Sequence, residues 1–248
     1  MTLARRTETS PIVTLPSEAR LEALNLALEK ATPTEIIREA AASAGAGRLC
    51  LVSSFGTESA VLIAFMAQVD PSIPVVFLDT GWLFEETLAY RDTLTAQLGL
   101  TGVRTLQPDA ARLAELDAER DLWFSDPDAC CRIRKVEPLA RALAGFDAWL
   151  NGRKRYQGGL RADIPVVERD GARLKFNPLA NLGREEVEAA HKRFGLPDHP
   201  LLAKGFNSVG CMPCTSRASG AEGARAGRWR GQAKTECGIH TLLNTVDR

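Results

Sequence analysis

The residues that could do chemistry in this chain are its cysteines and a set of cations near its carboxyl end. Cys237 lies in Thr235-Glu236-Cys237-Gly238-Ile239-His240, with His240 three positions on. The thiolate is the reactive form of cysteine, and a neighbouring cation favours it. Glu236 opposes that ionisation. Between Lys204 and Lys234 there are six basic residues (Lys204, Arg217, Arg225, Arg228, Arg230 and Lys234) against one acidic residue, Glu222. Such local positive charge is what an anionic substrate needs. Taken alone, Cys237 reads either as a nucleophile or as a tail thiol with no role.

Four other cysteines come in two pairs. Cys130–Cys131 are adjacent, and Cys211–Cys214 form a CxxC about 80 residues later. Four thiolates from two segments suffice for a tetrahedral zinc or an iron–sulfur cluster. Neighbouring cysteines point in different directions, so both reach one centre only if the backbone bends or the centre is large. A four-cysteine zinc site normally uses two CxxC knuckles, and only one is present. The pattern leans towards a cluster of several irons, which would also staple the Gly-rich tail to the rest of the chain. Cys50, inside the apolar run RLCLVSS, reads as a small buried hydrophobe.

These residues must be positioned by the elements between them. Residues 1–16 read as loose. SEARLEALNLALEK has helical spacing, and Thr32-Pro33-Thr34-Glu35 forms a capping box that opens a second helix to about Ala44. RLCLVSSF, IPVVFLDT, TGVRTLQ and DAWLNG are short apolar runs that predict strands. ESAVLIAFMAQV, LFEETLAYRDTLTAQLG and roughly Asp128–Leu143 predict the helices between them. This rhythm predicts an α/β fold, a mainly parallel sheet flanked by helices. IPVVERDGARLKF then predicts a hairpin around Asp170-Gly171, and REEVEAAHKRFG a further helix.

In such sheets ligands sit outside the carboxyl ends of the strands. Three strand-end loops are therefore candidates. Ser53-Ser54-Phe55-Gly56-Thr57-Glu58-Ser59 carries small residues whose backbone amides could approach an anion, or else it is an ordinary turn. It lacks the Walker GK[ST] ending. Leu78-Asp79-Thr80-Gly81 could line the same crevice. After the fourth predicted strand, Arg153, Lys154, Arg155 and Arg161 cluster where an anion could face them.

Composition narrows the class. Lys+Arg and Asp+Glu are equal at 31 each, so no global field draws the chain to nucleic acid or to a membrane surface. The sequence contains no long apolar run of transmembrane type, and its first residues lack the apolar core of a secretory signal. A reducing cytoplasm follows as the expected location, where cysteines serve metals or catalysis rather than disulfides.

Seven motifs in order, SSFGTES, LDTGWLFEET, CCRIRKVEPL, NGRKRYQ, GCMPCT, RAGRW and TECGIH, resemble the thioredoxin-dependent assimilatory adenylyl-sulfate (APS) and phosphoadenylyl-sulfate (PAPS) reductases over roughly 48–240. The resemblance implies an adenine-nucleotide α-hydrolase-like fold with a modified pyrophosphate loop at Ser53–Ser59. It implies a [4Fe–4S] cluster on Cys130, Cys131, Cys211 and Cys214, acting as an electrostatic and structural element. Lys135 matches a lysine between cluster and substrate, and Arg225 and Arg228 match arginines on sulfate and phosphate. Cys237 matches the nucleophile and His240 its neighbour. Ser53, Ser54, Phe55, Gly56, Glu58, Leu78, Thr80, Gly81 and Arg161 are the further substrate-binding candidates. The implied reductant is thioredoxin or a glutaredoxin-like protein, with self-association of the chain left open.

Two departures stand out. QGGLR precedes and includes Arg161 where family members often have QSPTR, and Trp82 and Phe84 follow LDTG where some cluster-containing members carry basic residues. The cluster cysteines favour APS, with PAPS giving sulfite and adenosine 3′,5′-bisphosphate as the alternative. A zinc module binding nucleic acid and an ATP-using ligase are the other classes considered, and the ligase leaves Cys237 without a role. The expected organisation is a helical segment over 1–46, a nucleotide-binding region over 47–204 and a cluster-binding, catalytic tail over 205–248, all in one unit.

Overall fold

The sheet forms from the shortest and most apolar runs of the sequence. In the computed structural model, which describes residues 17–219, 222–223, 225–232 and 234–241, every residue of β1 (Leu49–Ser53) and β4 (Ala148–Leu150) is buried. β2 (Val75–Leu78) and β3 (Val103–Leu106) complete one half of the sheet, and a hairpin of β5 (Val167–Asp170) and β6 (Arg173–Phe176) completes the other. The order is β3-β2-β1-β4-β6-β5. All neighbours pair in parallel except β5 with β6, which meet through the predicted Asp170-Gly171 turn. Gly171 takes φ 58° there, a left-handed conformation that glycine adopts without strain.

Side-chain alternation sorts the two faces. Leu49, Leu51, Val75, Phe77, Ala148, Leu150, Leu174 and Phe176 share one core with Leu28, Ile36, Ile37, Ala64, Leu94 and Val187. Those residues come from α1 (Glu18–Leu28), α2 (Pro33–Ser43), α3 (Ser59–Val69), α4 (Glu85–Gln97) and α9 (Arg184–Arg193). Cys50, Val52, Val76 and Trp149 point the other way, onto Val136, Leu139 and Leu143. Cys50 is fully buried, and burial keeps its thiol protonated. The Thr32 capping box forms as predicted, with Glu35 reaching back to the Thr32 amide at 2.7 Å.

The structure corrects or adds to the sequence reading at three places. The single helix expected over 128–143 is built from α7 (Pro127–Cys131), a π-helical stretch Arg132–Val136 and α8 (Glu137–Leu143). A π turn inserts an extra residue and changes which side chains face inward. Here Arg134 is 4% exposed, and Lys135 lies within reach of Cys237. Two short helices, α5 (Ala110–Leu116) and α6 (Leu122–Ser125), have no buried residues and gave no apolar period to detect. The Gly-rich tail, expected to be stapled by a metal centre, also packs through its own side chains: Trp229 is 3% exposed and lies against Cys211 and Cys214. The stretch 1–16 read as loose lies outside the described residues.

Candidate active site

The carboxyl ends of β1, β2 and β4 open onto a cleft of about 190 Å³. β1 lies where the strand order reverses, since β2 and β3 extend to one side and β4 to the other, and such a switch point leaves a crevice. After β1 the loop is pinned from within and from the tail. The Phe55 amide donates to Ser53 Oγ (3.2 Å), the Gly56 amide to Ser59 Oγ (3.0 Å), and Thr57 Oγ1 to the Asn207 carbonyl (2.9 Å). A Cβ on Gly56 would stand 2.9 Å from the Val209 carbonyl, so only glycine allows this approach.

Ser53, Ser54, Gly56, Glu58, Leu78, Thr80, Lys135, Arg161, Arg225, Cys237 and His240 all line the cleft. Three other candidates are placed elsewhere. Phe55 is fully buried and packs edge-on to Phe77 at 5.4 Å, because an apolar ring gains more in the core than at a polar mouth. Gly81 faces a separate groove with Asp117 and Arg134, since its left-handed turn carries the chain away from the cleft. Arg228 lies against the Trp229 ring (4.6 Å) and the Gly210 backbone, and lines a neighbouring cationic cavity with Arg161, Arg225 and Lys234.

Cys237 sits where a thiolate is favoured. The Lys135 ammonium is 3.7 Å from its sulfur. The neighbouring Cys131, with Lys135, the Ile239 amide and Arg228, overcomes burial and holds Cys237 well below the ordinary thiol range. Burial pulls Lys135 down, but the sulfurs of Cys211, Cys237 and Cys131 more than restore its charge. The His240 ring lies parallel to Trp149, 3° between planes at 6.4 Å. Burial first, then the charges of Lys175, Arg153, Arg161 and Arg225, keep that imidazole neutral. Among the described residues its Nδ1 has no hydrogen-bond partner, leaving a neutral polar atom at the cleft.

The strand-end reading missed how the cations are used. Lys154 is 2% exposed and pairs with Glu58 at 3.0 Å, and Glu58 also accepts from Tyr156 Oη (2.7 Å) and Gln157 Nε2 (2.8 Å). Arg153 pairs with Glu168 and Arg155 with Glu29, so both support the scaffold. Arg161 holds Glu236 through Nε (2.5 Å) and Nη2 (2.7 Å). No local pattern announces these pairs, because the partners lie far apart in the chain.

Cys130, Cys131, Cys211 and Cys214 are buried, free of disulfides, and line one small cavity with Trp82, Arg134 and Lys135. The Thr80 hydroxyl is 3.2 Å from Cys211 Sγ. Burial, with the Cys211 charge adding to it, pushes the Cys130 thiol up to about 12, and burial raises Cys214 as well. These sulfurs ionise only against a compensating centre; Lys135 offsets part of the negative charge of such a group, while Arg134 is already paired with Asp117 at 2.5 Å. Among the described residues, no three ligating side chains converge tightly enough for a single metal ion. Trp82 packs between the Arg120 (4.6 Å) and Arg134 (5.3 Å) guanidiniums on this cavity, and the cleft beside it does not include Trp82.

Comparison with known proteins agrees with this fold. The phosphoadenosine phosphosulfate reductase domain matches residues 48–217. The chain is 49% identical to an adenosine 5′-phosphosulfate reductase of Mesorhizobium japonicum, over 84% of this chain and 82% of that protein. It is 42% identical to a phosphoadenosine 5′-phosphosulfate reductase of Gloeobacter violaceus, over 90% and 94% respectively. A crystal structure of the phosphoadenylyl-sulfate reductase of Candida auris superposes with TM-score 0.69 at 26% identity, covering 80% of this chain and 97% of that one. The adenine-nucleotide α-hydrolase-like fold is thus the one expected from the motifs. Among the described residues, no helix is long and apolar enough to cross a membrane.

Proposed function

This chain belongs to the phosphoadenosine phosphosulfate reductase family, and on that premise we propose that it is an oxidoreductase of sulfate assimilation, reducing APS to sulfite and AMP through Cys237. The observation that carries the reading is the Cys237 sulfur beside the Lys135 ammonium, inside a cleft at the sheet's switch point. The names of its relatives at 45–49% identity support APS as the main donor. The Gloeobacter relative keeps PAPS as the alternative to assay alongside it.

The residues divide the work. The Ser53–Ser59 loop binds the nucleotide phosphate through the Ser53 and Ser54 hydroxyls, its Phe55 and Gly56 amides being spent on Ser53 Oγ and Ser59 Oγ. Glu58, fixed by Lys154, Tyr156 and Gln157, shapes the cleft floor. Arg161 and Arg225 bind the anhydride's charge, with Arg228 supplying positive charge from the adjoining cavity. The Cys237 thiolate attacks the sulfuryl sulfur, the S–O bond to phosphate breaks, and AMP departs with the electron pair. Cys237 is left as an S-sulfocysteine. Lys135 and the arginines strengthen their hold as charge grows on the departing phosphate, which is where catalysis gains over simple binding.

A reduced dithiol protein of the thioredoxin or glutaredoxin type then supplies two electrons. Its thiolate attacks Cys237 Sγ and sulfite leaves. Its second thiol resolves the mixed disulfide, so Cys237 returns as a thiolate and the dithiol becomes a disulfide. Cys130, Cys131, Cys211 and Cys214 suit a [4Fe–4S] cluster as four buried thiols beside two cations. When bound, the cluster supplies fixed charge and ties the tail to the 127–143 helical segment.

The test is Cys237→Ala assayed with APS, thioredoxin and a thioredoxin-reducing system. Sulfite release is abolished while AMP binding persists. Undiminished sulfite release from that variant would remove Cys237 from the mechanism.

A further inference from the structure

Glu236, next to the nucleophile, takes up the two cleft arginines that a substrate anion needs. Arg161 grips it with two hydrogen bonds, Nε at 2.5 Å and Nη2 at 2.7 Å, and Arg225 adds a third at 3.2 Å. The carboxylate side chain is 5% exposed. The same Oε1 accepts from the Cys237 amide at 2.9 Å, so the clamp sets where the thiol sits. The remaining Arg161 nitrogen, Nη1, donates to Gln157. Every nitrogen of Arg161 therefore already has a partner, with its charge committed to Glu236.

Space points the same way. The cleft measures about 190 Å³, below the ~300–1,000 Å³ usual for small-molecule pockets, and Cys237, Ile239 and His240 form part of its wall. A nucleotide carrying a sulfuryl group needs the tail to give way. The loop under Arg161 has open space around it: no atom would lie within 4 Å of a Cβ at Gly158 or Gly159, both at left-handed φ (67° and 58°).

We propose that Glu236 is a positioning residue that occupies the arginine pair in place of the substrate's oxyanion, and that nucleotide phosphate displaces it from Arg161 and Arg225, so that the Cys237 segment comes free once its thiol has taken the sulfuryl group and AMP still holds the arginines. The proposal rests on the function assigned above. Holding Cys237 in place and freeing it for a protein reductant are then two states of one ion-pair exchange. An internal competitor lowers apparent affinity by the fraction of time it is displaced.

The experiment measures AMP binding to purified, cluster-loaded protein by calorimetry for wild type, Glu236→Gln and a control, Glu222→Gln. Glu222 pairs with Arg230 outside the cleft. Removing the competing charge should tighten AMP binding about tenfold in Glu236→Gln and leave Glu222→Gln unchanged. Binding that is unchanged or weaker in Glu236→Gln overturns the exchange, because a purely structural clamp loses affinity when its charge is removed. Should that variant fail to fold, wild type still decides the matter. Saturating AMP should speed trypsin cleavage after Lys234, and slower or unchanged cleavage overturns the exchange. These outcomes leave the functional reading intact, whereas absence of AMP binding to wild type overturns both.

Discussion

Replacing Lys135 by methionine removes the charge nearest the Cys237 sulfur while keeping the stem's volume. At 3.7 Å, an ammonium and a thiolate attract by about 4 kcal/mol with an effective dielectric near 20. At 1.36 kcal/mol per pK unit, that caps the effect at about 3 units. Arg228, the Ile239 amide and Cys131 also favour the thiolate, so a rise of ~1–3 units is expected for Lys135→Met. The sign is fixed by charge: the cation lowers the thiol's pKa, so its loss raises it. Iodoacetamide alkylation of Cys237, followed by mass spectrometry from pH 5 to 10, reads the thiolate fraction directly. At pH below both apparent pKa values the variant should react roughly 10- to 1,000-fold more slowly than wild type, the gap closing as pH rises between them. An unshifted profile would refute the idea that Lys135 sets the charge of Cys237.

The remaining predictions concern the cysteine cavity and the buried histidine. Cys130→Ser should purify without iron or visible iron–sulfur absorbance and melt roughly 5–10 °C lower, as expected for a loss of ~2–3 kcal/mol; full iron content by metal analysis would remove Cys130 from the ligand set. His199, 1% exposed, accepts from the Leu201 amide at Nδ1 (3.2 Å) and meets Thr87 Oγ1 at Nε2 (3.1 Å), and burial lowers its pKa from 6.5 to about 4. The unfolded chain therefore binds the proton first. Stability from this group is complete above about pH 6.5 and is lost as pH falls towards 4, about 2 kcal/mol of it by pH 5. Denaturant melts at pH 7.5 and 5 should show that loss in wild type, and His199→Gln should reduce it.

Much of the fold was legible because β1, β2, β4, α3 and α4 follow simple rules of period and length. The π turn at Arg132–Val136 was not, since its residues read as ordinary helix and only packing against the cavity selects the extra residue per turn. Within the site, the strand-end rule located Ser53, Thr80 and the cations after β4 without any long-range knowledge. It could not separate Lys154, committed to Glu58, from Arg161, committed to Glu236, because the partners lie 96 and 75 residues away. Glu236 was read as unfavourable to its neighbour's ionisation. In the structure the arginines draw its carboxylate aside, and their charge outweighs burial to keep it ionised. Phe55 shows the opposite limit, where a loop residue chosen for its position turns out to belong to the core.

One measurement reaches the chemistry itself. Anaerobically purified protein is mixed with APS, and separately with PAPS, in the absence of any reductant, and the intact chain and its peptides are weighed. Transfer of one SO₃ group to the peptide bearing residue 237, with an equivalent of AMP released and no sulfite until a dithiol protein is added, is the expected result. Sulfite appearing without a covalent adduct, or an adduct on some other side chain, contradicts it.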